Sequence, residues 1–145
     1  MYKNILAAVD GSELSAKDAR HGAELAAKLG ARLTIFHVVP PLPSFDNMSP
    51  SHVGNIHQDI VNEFLKQGRE ILRQTEEKLA GLGLDISTSI TLGHPAEEIC
   101  KKVEAGQYDL LVMGSRGLGQ IKGYLMGSVS NRVCRHAKCP VLIVR

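Results

Sequence analysis

The chain has 145 residues, 43% of them hydrophobic and 22% charged, with a formal net charge of +2, the size and balance of one globular domain with a useful core. So small a charge, carried by dispersed Lys and Arg, argues against nucleic acid or an anionic membrane as partner. With 4% aromatic residues and no Trp, base-stacking platforms are also disfavoured.

Met1-Tyr2-Lys3-Asn4 leads straight into a strand pattern, with no signal-peptide apolar region. No apolar run approaches the ~20 residues needed to cross a bilayer. Lys3–Val9 is a short apolar strand ended by Asp10-Gly11-Ser12, which are turn and cap residues. Ser12 is placed to cap a helix over Leu14–Leu29, whose Ala19, Ala23, Ala26 and Ala27 form a small-residue face; Gly30 sits at its left-handed end.

Arg32–Val39 is a β-branched, apolar strand stopped by Pro40-Pro41. Pro40–His57, rich in Pro, Ser, Asn and His, reads as a mobile surface loop. From Ile56 to Leu82 the positions Ile60, Phe64, Ile71, Thr75 and Leu79 follow helical spacing, and Gly81 and Gly83 close that helix. Asp85–Leu92 is a third strand, and Gly93-His94-Pro95 opens a short helix capped by His94, with Ile99 and Val103 on its buried side. Asp109–Met113 and Val141–Val144 are the fourth and fifth strands, with a helix over Ser128–His136 between them. Five strands alternating with four helices, without a linker or repeat, predict one α/β domain over residues 1–145, a mostly parallel sheet with helices on both faces.

Cys100, Cys134 and Cys139 are odd in number and lack a scaffold spacing, which points to a reduced, cytoplasmic compartment. Cys134, His136 and Cys139 lie across one helix end without a second ligand pair, a poor metal site. The six histidines do not converge, His37 belongs to core or pocket wall, and no Ser-His-Asp arrangement or carboxylate pair is evident, so no catalytic residue is assigned.

The informative segment is Gly114-Ser115-Arg116-Gly117, then nine residues, then Gly127-Ser128. It runs from a buried strand through a glycine turn to a helix start, where free N–H groups and the helix dipole favour an anion. No Walker A string occurs, and Gly117-Leu118-Gly119 is followed by a glycine only at Gly123, one position late for a dinucleotide fingerprint that belongs on a first strand. Taken alone, the glycines could serve a tight turn, Ser128 and Ser130 could cap the helix, and Asp10 could be a turn residue.

With its surroundings the pattern resembles the universal stress protein family, in the branch that binds ATP. Ile5–Ser12, His37-Val38-Val39, Gly93–Ile99 and Cys139–Val144 carry the same resemblance from the first strand to the last residue. It implies a Rossmann-like five-stranded sheet in the order 3-2-1-4-5, with a ligand beyond the first and fourth strands, where Asp10 and Gly114 lie. By similarity Gly114, Arg116 and Gly117 line the turn beside ribose and phosphates. Gly127, Ser128, Val129 and Ser130 hold the terminal phosphates through amides and hydroxyls. Asp10 accepts from the ribose hydroxyls. Ala8, Val38 and Met113 wall the adenine; alanine stands at position 8 where relatives often carry proline. Arg116 suits phosphate, and Lys122 in the spacer is either a phosphate contact or a solvated lysine.

The resemblance further implies ATP with Mg²⁺ or Mn²⁺, no protein metal ligands, and a homodimer through the exposed final strand, a possible building block of a tetramer. The function expected is a nucleotide-dependent regulator of a partner protein in the stress response. That partner is unidentified; transporters and signalling proteins are candidates. A slow ATPase or autophosphorylating enzyme, or a nucleotide-free interaction module, is the alternative.

Overall fold

A computed structural model of the chain describes residues 1–42, 50–117 and 126–145, the side chains of 50–53 excepted. Along it run β1 (Asn4–Val9), α1 (Glu13–Leu29), β2 (Arg32–Val39), α2 (Pro50–Leu79), β3 (Ile86–Leu92), α3 (Pro95–Ala105), β4 (Leu110–Gly114), α4 (Ser128–His136) and β5 (Val141–Val144). The strands form one sheet in the order β3-β2-β1-β4-β5, every pairing parallel. This is the Rossmann-like order implied by the resemblance.

Parallel strands need crossover helices, so both faces of the sheet become covered and its strands read as apolar runs. Ile5, Ala7 and Val9 of β1 join Leu110 and Val112 of β4 in one core, beneath Ala19, Ala23 and Ala26 of α1 and Leu72 and Leu79 of α2. Leu6, Leu111 and Met113 point the other way, into a second core with Ile99 and Val103 of α3 and Val133 of α4. Alternate residues of one strand thus serve opposite layers.

Two helix ends follow the sequence chemistry. The Ser12 hydroxyl accepts from the Ser15 N–H at 3.1 Å, and Gly30 closes α1 at φ 64°. His94 occupies the N-cap position of α3, but its side chain makes no capping hydrogen bond there; a first-turn Pro95 starts the helix instead.

The expected loop over Pro40–His57 is corrected for residues 50–57, because α2 already begins at Pro50, while residues 43–49 lie outside the described residues. A first-turn proline costs no hydrogen bond, and residues 54–59 are exposed, so no apolar periodicity marks them as helix. The buried stripe also differs from the expected one. Val61, Leu72, Thr75 and Leu79 are buried whereas Phe64 is 40% exposed.

Gly68 lies where α2 presses closest on the sheet. A Cβ there would stand 2.6 Å from Ile90 Cδ1 and 2.9 Å from His37 Cδ2, whereas one at Gly54 meets nothing within 4 Å. Alanine raises helix propensity by up to about 1 kcal/mol at either position, while overpacking a core costs about 1–3 kcal/mol. Urea unfolding should therefore separate them: Gly54→Ala gains a few tenths of a kcal/mol and Gly68→Ala loses about 1 kcal/mol.

Candidate functional site

β1 and β4 are neighbours, and their chains leave the sheet toward opposite layers, α1 on one side and α4 on the other. Such a divergence opens a crevice beyond the C-terminal strand ends. Asp10 follows β1 and Gly114 ends β4 at that place.

The β1 end is held by short-range polar bonds. Asp10 Oδ1 accepts from the Ser12 N–H at 2.9 Å and from the Ser12 hydroxyl at 2.6 Å, an Asx-type turn. The Ser15 hydroxyl donates to Ser12 O at 2.9 Å, and the Asp10 N–H reaches Ser15 Oγ at 3.3 Å. Gly11 adopts φ +89°, and a Cβ there would stand 2.7 Å from Ile71 Cδ1 of α2. Across the strand pair His37 Nδ1 lies 2.8 Å from Val9 O; a carbonyl only accepts, so Nδ1 carries the proton. The turn reading of Asp10 is thus correct in part: one carboxylate oxygen sets the turn.

The β4 end is stitched to both neighbours. The Ser115 N–H donates to Val144 O of β5 at 2.9 Å, and the Gly127 N–H donates to Ser115 O at 2.7 Å. That second bond brings the start of α4 to the end of β4. Gly127 is the N-cap residue and, lacking a side chain, does not cap the helix itself; the first-turn amide N–H groups of such a helix start attract anions. The two halves then meet at glycines. A Cβ on Gly117 would collide with Asp10 Oδ2, and one on Gly127 would lie 3.3 Å from Ser115 O.

Sequence reading named most of these residues and overlooked one. Ala8, Val38 and Met113 come together in the α3–α4 layer, with Val129 of α4 packed against the same cluster. Ser128 is exposed, but Ser130 is buried and its hydroxyl donates to Gly114 O at 2.7 Å. That hydroxyl ties α4 to the turn instead of facing outward. Lys122 lies outside the described residues. The overlooked residue is Asp18, 6% exposed on the buried side of α1. Its Oδ2 fills the space a Cβ on Gly114 would need, which is why glycine must end β4 here. Burial, with the charge of Asp10 adding to it against an opposing effect of His21, pushes the Asp18 carboxyl up to about 6.

Asp18 borders a cavity of about 400 Å³ with Leu14, Ser115, Arg116, Met126, Val144 and Arg145. A second, polar depression of about 450 Å³ opens at the opposite end of the strands around Thr34, Ser87 and Tyr108. Its hydroxyls bond one another at 3.0 Å, which accounts for them structurally. Among the described residues no group of three or more His, Cys, Asp or Glu is placed to hold a metal, and no helix is long and apolar enough to cross a membrane.

A sequence profile of the Universal stress protein family matches residues 1–145. The universal stress protein YxiE of Bacillus subtilis is 37% identical over 151 residues, spanning 100% of both chains. Among solved structures, universal stress protein UspA from Lactobacillus plantarum superposes with a TM-score of 0.88 at 24% identity, covering 99% of this chain and 98% of the other. A universal stress protein solved in complex with cAMP gives a TM-score of 0.74 at 29% identity, covering 99% and 97%.

A carboxyl raised from 3.8 to about 6 holds its proton more tightly in the folded chain than in the unfolded one. Its ionisation opposes folding, an effect absent below about pH 4, growing toward pH 6 and complete above it. Asp18→Asn should accordingly be more stable than wild type by about 2–3 kcal/mol near pH 8, with the difference closing toward pH 4 in denaturant titrations.

Proposed function

The chain belongs to the universal stress protein family, and on that premise we propose that it binds ATP in the crevice between the β1 and β4 ends and acts as a nucleotide-dependent regulator of a partner protein. The observation that carries the reading is the Gly127 N–H to Ser115 O bond of 2.7 Å. It sets the start of α4 beside a strand-end turn, with Asp10 across from both. The related protein solved with cAMP supports a purine nucleotide as ligand.

The residues fit such a group. Gly117 lets the turn pass against Asp10 Oδ2 and Gly127 lets the helix start approach Ser115 O, which brings backbone amides of both together where a phosphate would bind. The amides of Ser128, Val129 and Ser130 would receive the terminal phosphates, with the Ser128 hydroxyl beside them. Gly114, Arg116 and Gly117 would line the ribose and the inner phosphates, Arg116 by a bidentate bond. Asp10 would accept from the ribose hydroxyls, and Ala8, Val38 and Met113 would wall the base. A divalent cation would arrive on the phosphates of the nucleotide. Bound nucleotide changes the charge and shape of the surface between Gly114 and Ser130, and that change is what a partner would read.

We also propose that the protein is a single domain that pairs with a second copy through β5. Among the described residues that strand bonds only β4 in the sheet, and Leu142 on it is 40% exposed; a two-fold copy would cover the edge. Light scattering at micromolar concentration should give twice the chain mass, and a monomer there rejects the pairing.

Isothermal titration should show ATP binding, with Gly117→Ala weakening it tenfold or more, because its Cβ displaces Asp10. Gly127→Val should weaken it similarly by crowding the helix start. No heat at millimolar nucleotide rejects the proposed function.

A further inference from the structure

The nucleotide reading gives Asp18 no task, yet from the α1 side it abuts Gly114, the end of β4. Its carboxyl is 6% exposed and touches the backbone of Gly114 where a side chain would otherwise be. No hydrogen bond or ion pair to Asp18 forms among the described residues. A carboxylate that little water reaches keeps more of its field than an exposed one. The groups around it come from every neighbouring element: Asp10 from the β1 turn, His21 from its own helix, and Arg116 and Arg145 along the cavity they share with it.

Resting on the proposed nucleotide site, we infer that Asp18 is its charge-selecting residue: its carboxylate, set behind the Gly114 turn, penalises each added phosphate charge, so the triphosphate is taken up together with a proton on Asp18. The Gly114 carbonyl receives the Ser130 hydroxyl at 2.7 Å, so the carboxylate and the α4 start are separated only by that turn. Unit charges about 10 Å apart shift an equilibrium about tenfold at the dielectric of a protein surface. ATP brings more negative charge than AMP and gains more when Asp18 is neutral. The inclination of the carboxyl to hold a proton near pH 6 puts this selection within reach of ordinary changes in pH. Arg116 and the helix start attract both nucleotides, so they set overall affinity; Asp18 sets the ratio between them.

The terminal phosphate of a nucleotide also titrates near pH 6, so comparison with a variant carries the test. ATP and AMP affinities are measured by titration calorimetry without divalent cation, in EDTA, so that ATP keeps its larger negative charge, near pH 5.5 and pH 8, on wild type and Asp18→Asn. The expected result is that Asp18→Asn binds ATP about tenfold more tightly than wild type near pH 8, with AMP changed less and the two proteins alike near pH 5.5. Carboxyl ¹³C titration of wild type should also show the Asp18 midpoint rising when ATP is bound, and rising less with AMP. Equal ATP-to-AMP ratios in both proteins at both pH values, or an Asp18 midpoint indifferent to ATP, overturn this inference alone. Wild type that binds neither nucleotide overturns the nucleotide reading and this inference with it.

Discussion

The close approach of α1 to the sheet is the constraint from which the rest of the site follows. Ala19, Ala23 and Ala26 are at most 1% exposed, and a Cβ on Gly22 would already stand 3.4 Å from Val112 Cβ. Larger side chains would lift the helix away. Packed this tightly, α1 lies over both β1 and β4 and draws the Asp10–Ser15 turn across the end of β4. The same proximity puts Asp18 against Gly114. The glycine there answers to a carboxylate on the helix as much as to any ligand.

Around that contact, opposite electrostatic tendencies are held a few ångströms apart. The start of α4 offers the positive end of its dipole. Asp10 and Asp18 supply negative charge on the other side of the turn. Ser12 takes up one oxygen of Asp10 through two bonds of 2.9 and 2.6 Å, whereas Asp18 is left to burial. The two carboxylates therefore differ in kind: one is fixed and solvated by its own turn, the other is poised to change its charge.

Much of this was legible in the amino acids. The apolar runs flanked by Asp-Gly-Ser, Pro-Pro and Gly-His-Pro mark strands and helix starts because those residues punctuate a chain locally. The strand order came from the family resemblance, since periodicity alone does not say which strands are neighbours. The start of α2 was missed because a helix with no buried face in residues 54–59 leaves no periodic signal. The sequence does not show which way the Ser130 hydroxyl turns, so its bond to Gly114 O emerges only from the structure. Asp18 had a visible signal: an acid spaced four and eight residues before Gly22 and Ala26, on a stripe otherwise made of small residues. A charge on a helix's buried side is costly, and that cost is the trace of its setting beside Gly114.

The pairing of β1 with β4 carries a consequence for how the chain comes to exist. The N–H groups of Lys3 and Asn4 bond the carboxylate of Asp109 at 2.8 and 3.1 Å, across separations of 106 and 105 positions. β1 can meet β2 early in synthesis, but its other edge waits for β4, and the anion-attracting helix start comes later still. A nascent chain therefore passes most of its length with half a crevice. Whatever binds there meets only finished protein, and by binding it favours the one topology in which the first and last thirds of the chain have found each other.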